Sequence, residues 1–175
     1  MHVGASAPSR RYAPERFAEV ARALVAEHGW RLAFTGDAGE RALVAEVRAI
    51  AGVPAVDLAG ALSFEELAAA VAQADLVISN STATAHVAAG VGTPVVDLYA
   101  LTNPQHTPWR VPHRLLFAPV PCANCFKSVC PEGHHACLQG VAPQQVVDAA
   151  LALYEETRGA RTAPAPTWSV HAAPG

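Results

Sequence analysis

Five short polar residues, Asn80, Ser81, Thr82, Thr84 and His86, crowd the point where the apolar run DLVIS gives way to the Ala/Val-rich segment ATAHVAAGVG. A helix starting near Thr82 would present free backbone N–H groups and the positive end of its dipole there, and an anion such as phosphate needs little more. Capping alone would use one Ser or Thr. His86 would stand about one turn into that helix, toward a cleft or toward the core. A second stretch, HVGASAPSRR, sets Gly4, Ala5 and Ser6 before Arg10 and Arg11. Small residues let backbone N–H groups approach an anion and Arg supplies a two-pronged cation, so the stretch suits a diphosphate cradle as well as an ordinary turn. A third, TGDAGE, turns at Thr35-Gly36 and sets Glu40 in the first turn of a helix. There it either caps the helix or accepts hydrogen bonds from sugar hydroxyls. A fourth group is Cys122, Cys125, Cys130 and Cys137, spaced C-x2-C-x4-C-x6-C with His134 and His135 between the last two. Four thiolates so close could hold a tetrahedral zinc or iron in a structural role. The spacing is not the usual pair of C-x2-C knuckles, and a loop of reduced thiols is the plainer alternative.

The elements that must position these groups alternate. Residues 14–28 carry apolar side chains at Phe17, Val20, Ala21, Leu24 and Val25, a helical spacing with Pro14 in the first turn and Gly29 at the end. RLAFTG is a short buried strand, residues 39–52 a helix stopped by Gly52, and AVDLAG a strand. Ser63 caps the next helix, with Glu66 in capping-box position. DLVIS and PVVDLY are strands on either side of the helix that carries His86, HRLLFA is a sixth strand, and residues 143–156 form the last helix. Alternating helices and fully apolar strands mean a parallel sheet covered on both faces, an α/β fold. Ligands of such sheets lie at the carboxyl ends of strands. The loops HVGAS, TGDAGE, GALS, NSTATAH and ALTNP all occupy that end.

Length and composition narrow the choices. The 175 residues suit one domain, expected over residues 1–158 with a Cys-rich loop at 121–138, followed by a disordered Ala/Pro/Thr-rich tail at 159–175. Hydrophobic residues make up 51% and net charge is only −3, with Lys and Arg scattered, so nothing favours a nucleic-acid partner. No run of 18 apolar residues offers a transmembrane segment. Met1 leads directly into His-Val-Gly-Ala-Ser with no signal-peptide pattern, so the chain reads as cytoplasmic, where cysteines stay reduced or bind metal.

The segment DLVISNSTATAHVAAGVGTPVVDLYALTNPQHTPW resembles the donor-binding signature of the ADP-heptose:lipopolysaccharide heptosyltransferases, glycosyltransferase family 9. HVGAS…RRYAPERFAEVA, TGDAGE, DLAGALSFEELAAAVAQADL and PCANCFKSVCPEGHHACL extend the resemblance, in order, to about residue 156. It implies the C-terminal, donor-binding half of a GT-B enzyme, a Rossmann-like parallel sheet with helices on both faces. The implied function is ADP-heptose binding for an inverting heptosyltransferase of lipopolysaccharide core synthesis, a glycosyltransferase that needs no cofactor for catalysis. The catalytic base and the lipid A-core acceptor would belong to an N-terminal half that this chain does not resemble. The fragment alone would then be inactive, and the whole enzyme would work at the inner face of the inner membrane.

Carried over by position, Gly4, Ala5, Ser6 and Arg10 would face the diphosphate, with Arg10 where the family usually has Lys. Thr35, Gly36 and Glu40 would lie near the nucleoside and Leu62 beside the adenine. Asn80, Ser81, Thr82, Ala83 and His86 would surround the phosphates and the sugar. Ser81 stands where many members have Asp, Ala83 where most have Gly, and Tyr12 where Trp is usual. Related transferases that heptosylate proteins carry a four-cysteine iron finger. Two other readings stay open: a GT-B nucleotide-sugar 2-epimerase-like domain binding a UDP-sugar, and a structural metal-binding module built on the Cys loop.

Overall fold

The computed structural model describes residues 1–103, 105 and 107–159. Beyond Gly159, the expected tail lies outside the described residues. Five strands form, β1 (Ala33–Phe34), β2 (Val56–Asp57), β3 (Val77–Asn80), β4 (Val95–Leu98) and β5 (His113–Leu116). β1 pairs with β2, and β3, β4 and β5 pair in that order, all parallel. His2 joins the two pieces through parallel bridges to Thr35 and Ser79. Its N–H donates to the Ile78 carbonyl at 2.9 Å, and Thr35 N–H donates to the Met1 carbonyl at 3.0 Å. Across the whole sheet the order is β2, β1, the His2 stub, β3, β4, β5. The order in which strands are added reverses at the stub, which is where a doubly wound sheet opens its ligand crevice.

The helices are α1 (Pro14–Arg22), α2 (Arg41–Ala51), α3 (Phe64–Gln73), α4 (Ala83–Val91), α5 (Ala136–Gln139) and α6 (Pro143–Thr157). Helix α1 runs on through a π-helical turn, Ala23–Glu27, until Gly29 reverses the chain at φ 69°. The capping box foreseen for α3 is present: Ser63 Oγ accepts from Glu66 N–H at 3.2 Å, and Glu66 Oε2 accepts from Ser63 N–H at 2.7 Å. Gly52 ends α2 in the left-handed conformation, φ 63°.

Successive side chains of a strand point to opposite faces. Ile78, Val96 and Leu98 enter the larger core with Phe17, Leu24, Val44, Val47, Val147 and Leu153, from α1, its π-helical turn, α2 and α6. Val77 and Val95 enter a smaller core with Val71, Ala85 and Ala88 of α3 and α4. Helices therefore cover both faces. The central strands β3 and β4 are buried throughout, but they carry the polar residues Ser79, Asn80 and Asp97 and so are not fully apolar, while at the edges β2 is exposed and β5 half-buried. Edge strands meet solvent on one side and need less apolar surface.

Candidate functional site

At the carboxyl ends of the strands, beside the stub, lies a cleft of about 340 Å³. That is within the usual size of a small-molecule site, roughly 300–1,000 Å³. Its polar lining comes from His2, Ser6, Thr35, Asp37, Glu40, Thr82 and Thr84. Its apolar lining comes from Leu58, Leu62, Phe64, Leu67 and Val87. Phe64, 65% exposed, is a large apolar ring left open to solvent at the rim. The cleft therefore offers apolar surface together with polar donors and acceptors.

Helix α4 begins in this cleft. Thr82 is its N-cap residue, in extended conformation, but makes no side-chain cap. The first-turn N–H groups are thus not consumed in the way a Ser or Thr cap consumes them, and Ala83 is exposed at the start of the helix. Their dipole end faces the space between the stub loop and β3.

Of the residues singled out from sequence, Ala5, Ser6, Thr35, Gly36, Glu40, Leu62, Thr82 and Ala83 are brought together in the cleft lining. Five others stand elsewhere. Gly4 lies beneath Glu40, and a Cβ built there would sit 1.7 Å from Glu40 Oε1. Gly4 is small because a carboxylate packs on it. Arg10 is half-buried in the short 3-10 turn Pro8–Arg10, outside the lining. Asn80 is fully buried, its Oδ1 accepting from Tyr12 N–H at 3.0 Å and its Nδ2 donating to the carbonyls of Val3, at 2.9 Å, and Gly4, at 3.3 Å. These bonds commit its side chain to holding the stub loop on β3 rather than to a ligand. Ser81 is buried at the β3–α4 junction, its N–H donating to Leu98 O at 3.2 Å. His86 is exposed and does not line the cleft, which corrects the expectation that it faces cleft or core.

Glu40 caps the turn, one of the two roles its residue type allowed, and it also lines the cleft. Its Oε2 accepts from Asp37 N–H at 2.9 Å, closing a capping box, while its carboxylate lines the cleft. Arg41 steadies the opposite loop by donating to the carbonyls of Ala59, at 3.3 Å, and Gly60, at 2.7 Å. Arg11 Nε donates to Ala5 O at 2.8 Å and braces the stub loop. Tyr12, in the usual Trp position, is buried and donates its hydroxyl hydrogen to Val141 O at 2.7 Å.

Sequence reasoning missed His2, Asp37, Leu58, Ser63, Phe64, Leu67 and Val87 of the lining, while Thr84, singled out with the α4 entry, does line it. GALS was recognised as a strand-end loop, and that signal extends one residue further to Phe64. His2 carried no signal of its own, being a lone His before a turn. Its imidazole is buried with Nδ1 3.1 Å from Thr35 Oγ1 and Nε2 3.7 Å from Glu40 Oε2. Burial pushes its pKa down to about 4, so it is neutral at ordinary pH.

The four cysteines, all half-buried thiols, rim a separate cavity of about 20 Å³ together with Ser9, His134 and His135. Burial pushes the Cys137 thiol up. Among the described residues no group of three or more His, Cys, Asp or Glu side chains has converged closely enough to hold a metal ion. The loop is tied to the cleft's surroundings: Ser9 N–H donates to Ser128 O at 3.0 Å, and Ser9 Oγ donates to Lys127 O at 2.8 Å. Asn124 and Phe126 N–H donate to Leu101 O, at 2.7 Å, and Thr102 O, at 2.9 Å. Among the described residues no helix is long and apolar enough to cross a membrane.

The family model for glycosyltransferase family 9 (heptosyltransferase) matches residues 1–136. The lipopolysaccharide core heptosyltransferase OpsX of Haemophilus influenzae is 34% identical over 95 residues, 53% of this chain and 27% of its own length. Lipopolysaccharide heptosyltransferase 2 of Escherichia coli K12 is 27% identical over 157 residues, 85% of this chain and 44% of its own length. Among solved structures, a family 9 glycosyltransferase from Veillonella parvula superposes with a TM-score of 0.77 at 27% identity, over 88% of this chain and 44% of that one. The E. coli ADP-heptose lipopolysaccharide heptosyltransferase II superposes with a TM-score of 0.74 at 24% identity, over 90% of this chain and 46% of that one. The chain thus spans less than half the length of these relatives.

Proposed function

Because the chain belongs to glycosyltransferase family 9, we propose that it is the donor-binding half of an inverting heptosyltransferase of lipopolysaccharide core assembly, with ADP-heptose as donor. One observation carries the reading: a helix N-terminus without a side-chain cap opens into a cleft lined by both polar and apolar side chains, at the point where strand order reverses. A nucleoside diphosphate has the matching anatomy, with the base against Leu62 and Phe64 and the phosphates over Thr82 and Ala83. Ala5 and Ser6 line the cleft with that end, and Ser81, His86, Gly4 and Arg10 would act on the ligand only from outside the lining. Asn80 supports the site by holding the stub loop in place.

In the reaction an acceptor hydroxyl on the lipid A-core attacks the anomeric carbon. A new C–O bond forms there, the bond to the β-phosphate oxygen breaks, and the hydroxyl proton passes to a base on the half of the enzyme that this chain does not match. The α4 N–H groups would stabilise the charge that develops on the departing diphosphate. The site of action would be the cytoplasmic face of the inner membrane. Calorimetric titration with ADP, UDP and GDP tests the reading. ADP should bind well above the other two, unaffected by EDTA. A preference for UDP would instead support the epimerase-like reading, and equal weak binding would remove the nucleotide assignment.

We also propose that Cys122, Cys125, Cys130 and Cys137 hold a structural zinc or iron. What supports this is the soft donor set gathered around one small cavity. The loop would have to tighten to bring the four thiolates to tetrahedral distance. Elemental analysis of protein purified without chelator should give close to one metal per chain, lost when Cys125 and Cys130 are both changed to Ser. Metal-free protein that keeps the same melting temperature after addition of either ion would refute it.

A further inference from the structure

The Cys loop and the cleft are joined by one short stretch of backbone. Ser9, 3% exposed, is held by the Cys loop twice: its N–H donates to Ser128 O at 3.0 Å and its Oγ donates to Lys127 O at 2.8 Å. Three residues earlier, Ser6 lines the cleft together with Ala5. We propose that Ser9 is a positioning residue through which the Cys loop fixes Ala5 and Ser6 for the diphosphate of the donor, so that the loop sets affinity for the phosphates without touching them. The inference rests on the nucleotide reading of the cleft given above.

The connection runs bond by bond. Ser9 is the middle residue of the 3-10 turn Pro8–Arg10, in which Arg10 N–H donates to Ala7 O at 2.9 Å and Arg11 N–H to Pro8 O at 3.2 Å. That turn sets where Arg11 stands, and Arg11 Nε donates back to Ala5 O at 2.8 Å. Asn80 holds the two preceding carbonyls, those of Val3 and Gly4. All three peptides are trans, so fixing these carbonyls turns the N–H groups of Gly4, Ala5 and Ser6 the opposite way. Two of the carbonyls are fixed from β3. The third, which orients the Ser6 N–H, depends on the turn that Ser9 anchors. The Cys loop is itself held at its other side, where Asn124 and Phe126 N–H donate to Leu101 O and Thr102 O beyond the end of β4. Asn124 and Phe126 both adopt left-handed backbone, φ 60° and 54°, a region that favours glycine. Such a conformation persists where the surroundings impose it. Here it precedes two successive carbonyls, Lys127 and Ser128, that meet Ser9. A stub loop ordered in advance lets a diphosphate bind without first ordering the N–H groups that receive it.

The test compares ADP with adenosine, which lacks the phosphates, by NMR titration of the full chain. Ser9→Ala should weaken ADP binding about five- to tenfold, the size of one hydrogen bond that must be replaced by ordering on binding, and leave adenosine unchanged. Ser9→Thr keeps the hydroxyl, and the cavity of about 20 Å³ beside it receives the added methyl, so this variant should bind ADP as the unsubstituted chain does. In the unsubstituted chain ADP, and not adenosine, should slow hydrogen exchange at the Ser9 amide beyond the slowing common to the whole chain, because coupling between two sites is reciprocal. That measurement covers the case that the Ala variant does not fold. Equal loss for both ligands, no loss, a Thr variant as weak as the Ala variant, or a Ser9 amide that ADP leaves unchanged would each overturn the role of Ser9 while leaving the cleft a nucleotide site. An unsubstituted chain that binds neither ligand would overturn the nucleotide reading itself and this inference with it.

Discussion

Asp97 is the residue whose chemistry fits its surroundings least. It sits in the middle of β4, opposite Ser79 and Leu115, with no exposure to solvent. It shares a face with Val95, under α3 and α4, and neither carboxyl oxygen has a hydrogen-bond partner among the described residues. Burial raises its pKa from 3.8 to about 8. The folded chain therefore holds this proton where the unfolded chain releases it, so the contribution is fully present below about pH 4 and is lost as pH rises toward 8. His2 acts in the opposite sense, since its pKa falls from 6.5 to about 4 and stability rises with pH across that interval. Above pH 6.5 His2 no longer opposes Asp97, but the buried Met1 amine still does, its pKa being lowered from 8.0 to about 5. Asp97→Asn, which cannot ionise, should therefore gain stability relative to the parent as pH rises from 4 to 8 and be the more stable protein at pH 8 by several kcal/mol. Urea midpoints at half-unit pH steps measure this, and parallel curves for parent and variant would show that Asp97 is not the source.

Elements were legible wherever a local signal set their ends. Ser63 with Glu66 and Gly52 after α2 marked helix termini because capping is a matter of a few neighbouring atoms. β3 and β4 were legible because burial on both faces favours β-branched apolar residues such as Val77, Ile78, Val95 and Val96, although each strand also buries polar residues. Strands β1 and β2 are only two residues each, less than their apolar neighbourhoods suggested. The π-helical turn after α1 depends on packing and leaves no pattern in the letters. The same division runs through the site. The α4 entry could be read because a cluster of small hydroxyl residues at a strand end is unusual. The roles of Asn80 and Gly4 could not, because each answers to residues far away in sequence: Asn80 to Tyr12 and Val3, and Gly4 to Glu40. The Cys loop shows the same dependence, being held through Ser9 to the turn that follows the stub.

At the scale of the molecule, the sheet is in two pieces that meet only at the stub, and the cleft lies across that meeting. Glu40 and Thr35 come from the β1–β2 side, whereas Thr82 and Ala83 come from the β3–β5 side. A ligand that touches both walls adds cross-links where the backbone supplies only the pairing of one short segment. It binds only when the pieces are registered, so its binding energy is felt by the whole fold. Binding to the native state alone stabilises by about 2.7 kcal/mol at a ligand concentration of one hundred times Kd. For a domain of this size that corresponds to roughly 5–10 °C in Tm. ADP should reach this at saturation, and hydrogen exchange should slow together at the amides of Thr35 and His2, which donate to Met1 O and Ile78 O on the two sides of the stub, with α6 unaffected except through global stability. Inorganic pyrophosphate, which reaches only the α4 side, should raise Tm less and protect only that side. If ADP protected one side alone, the cleft would not be bridged, and the nucleotide would have to lie along a single wall.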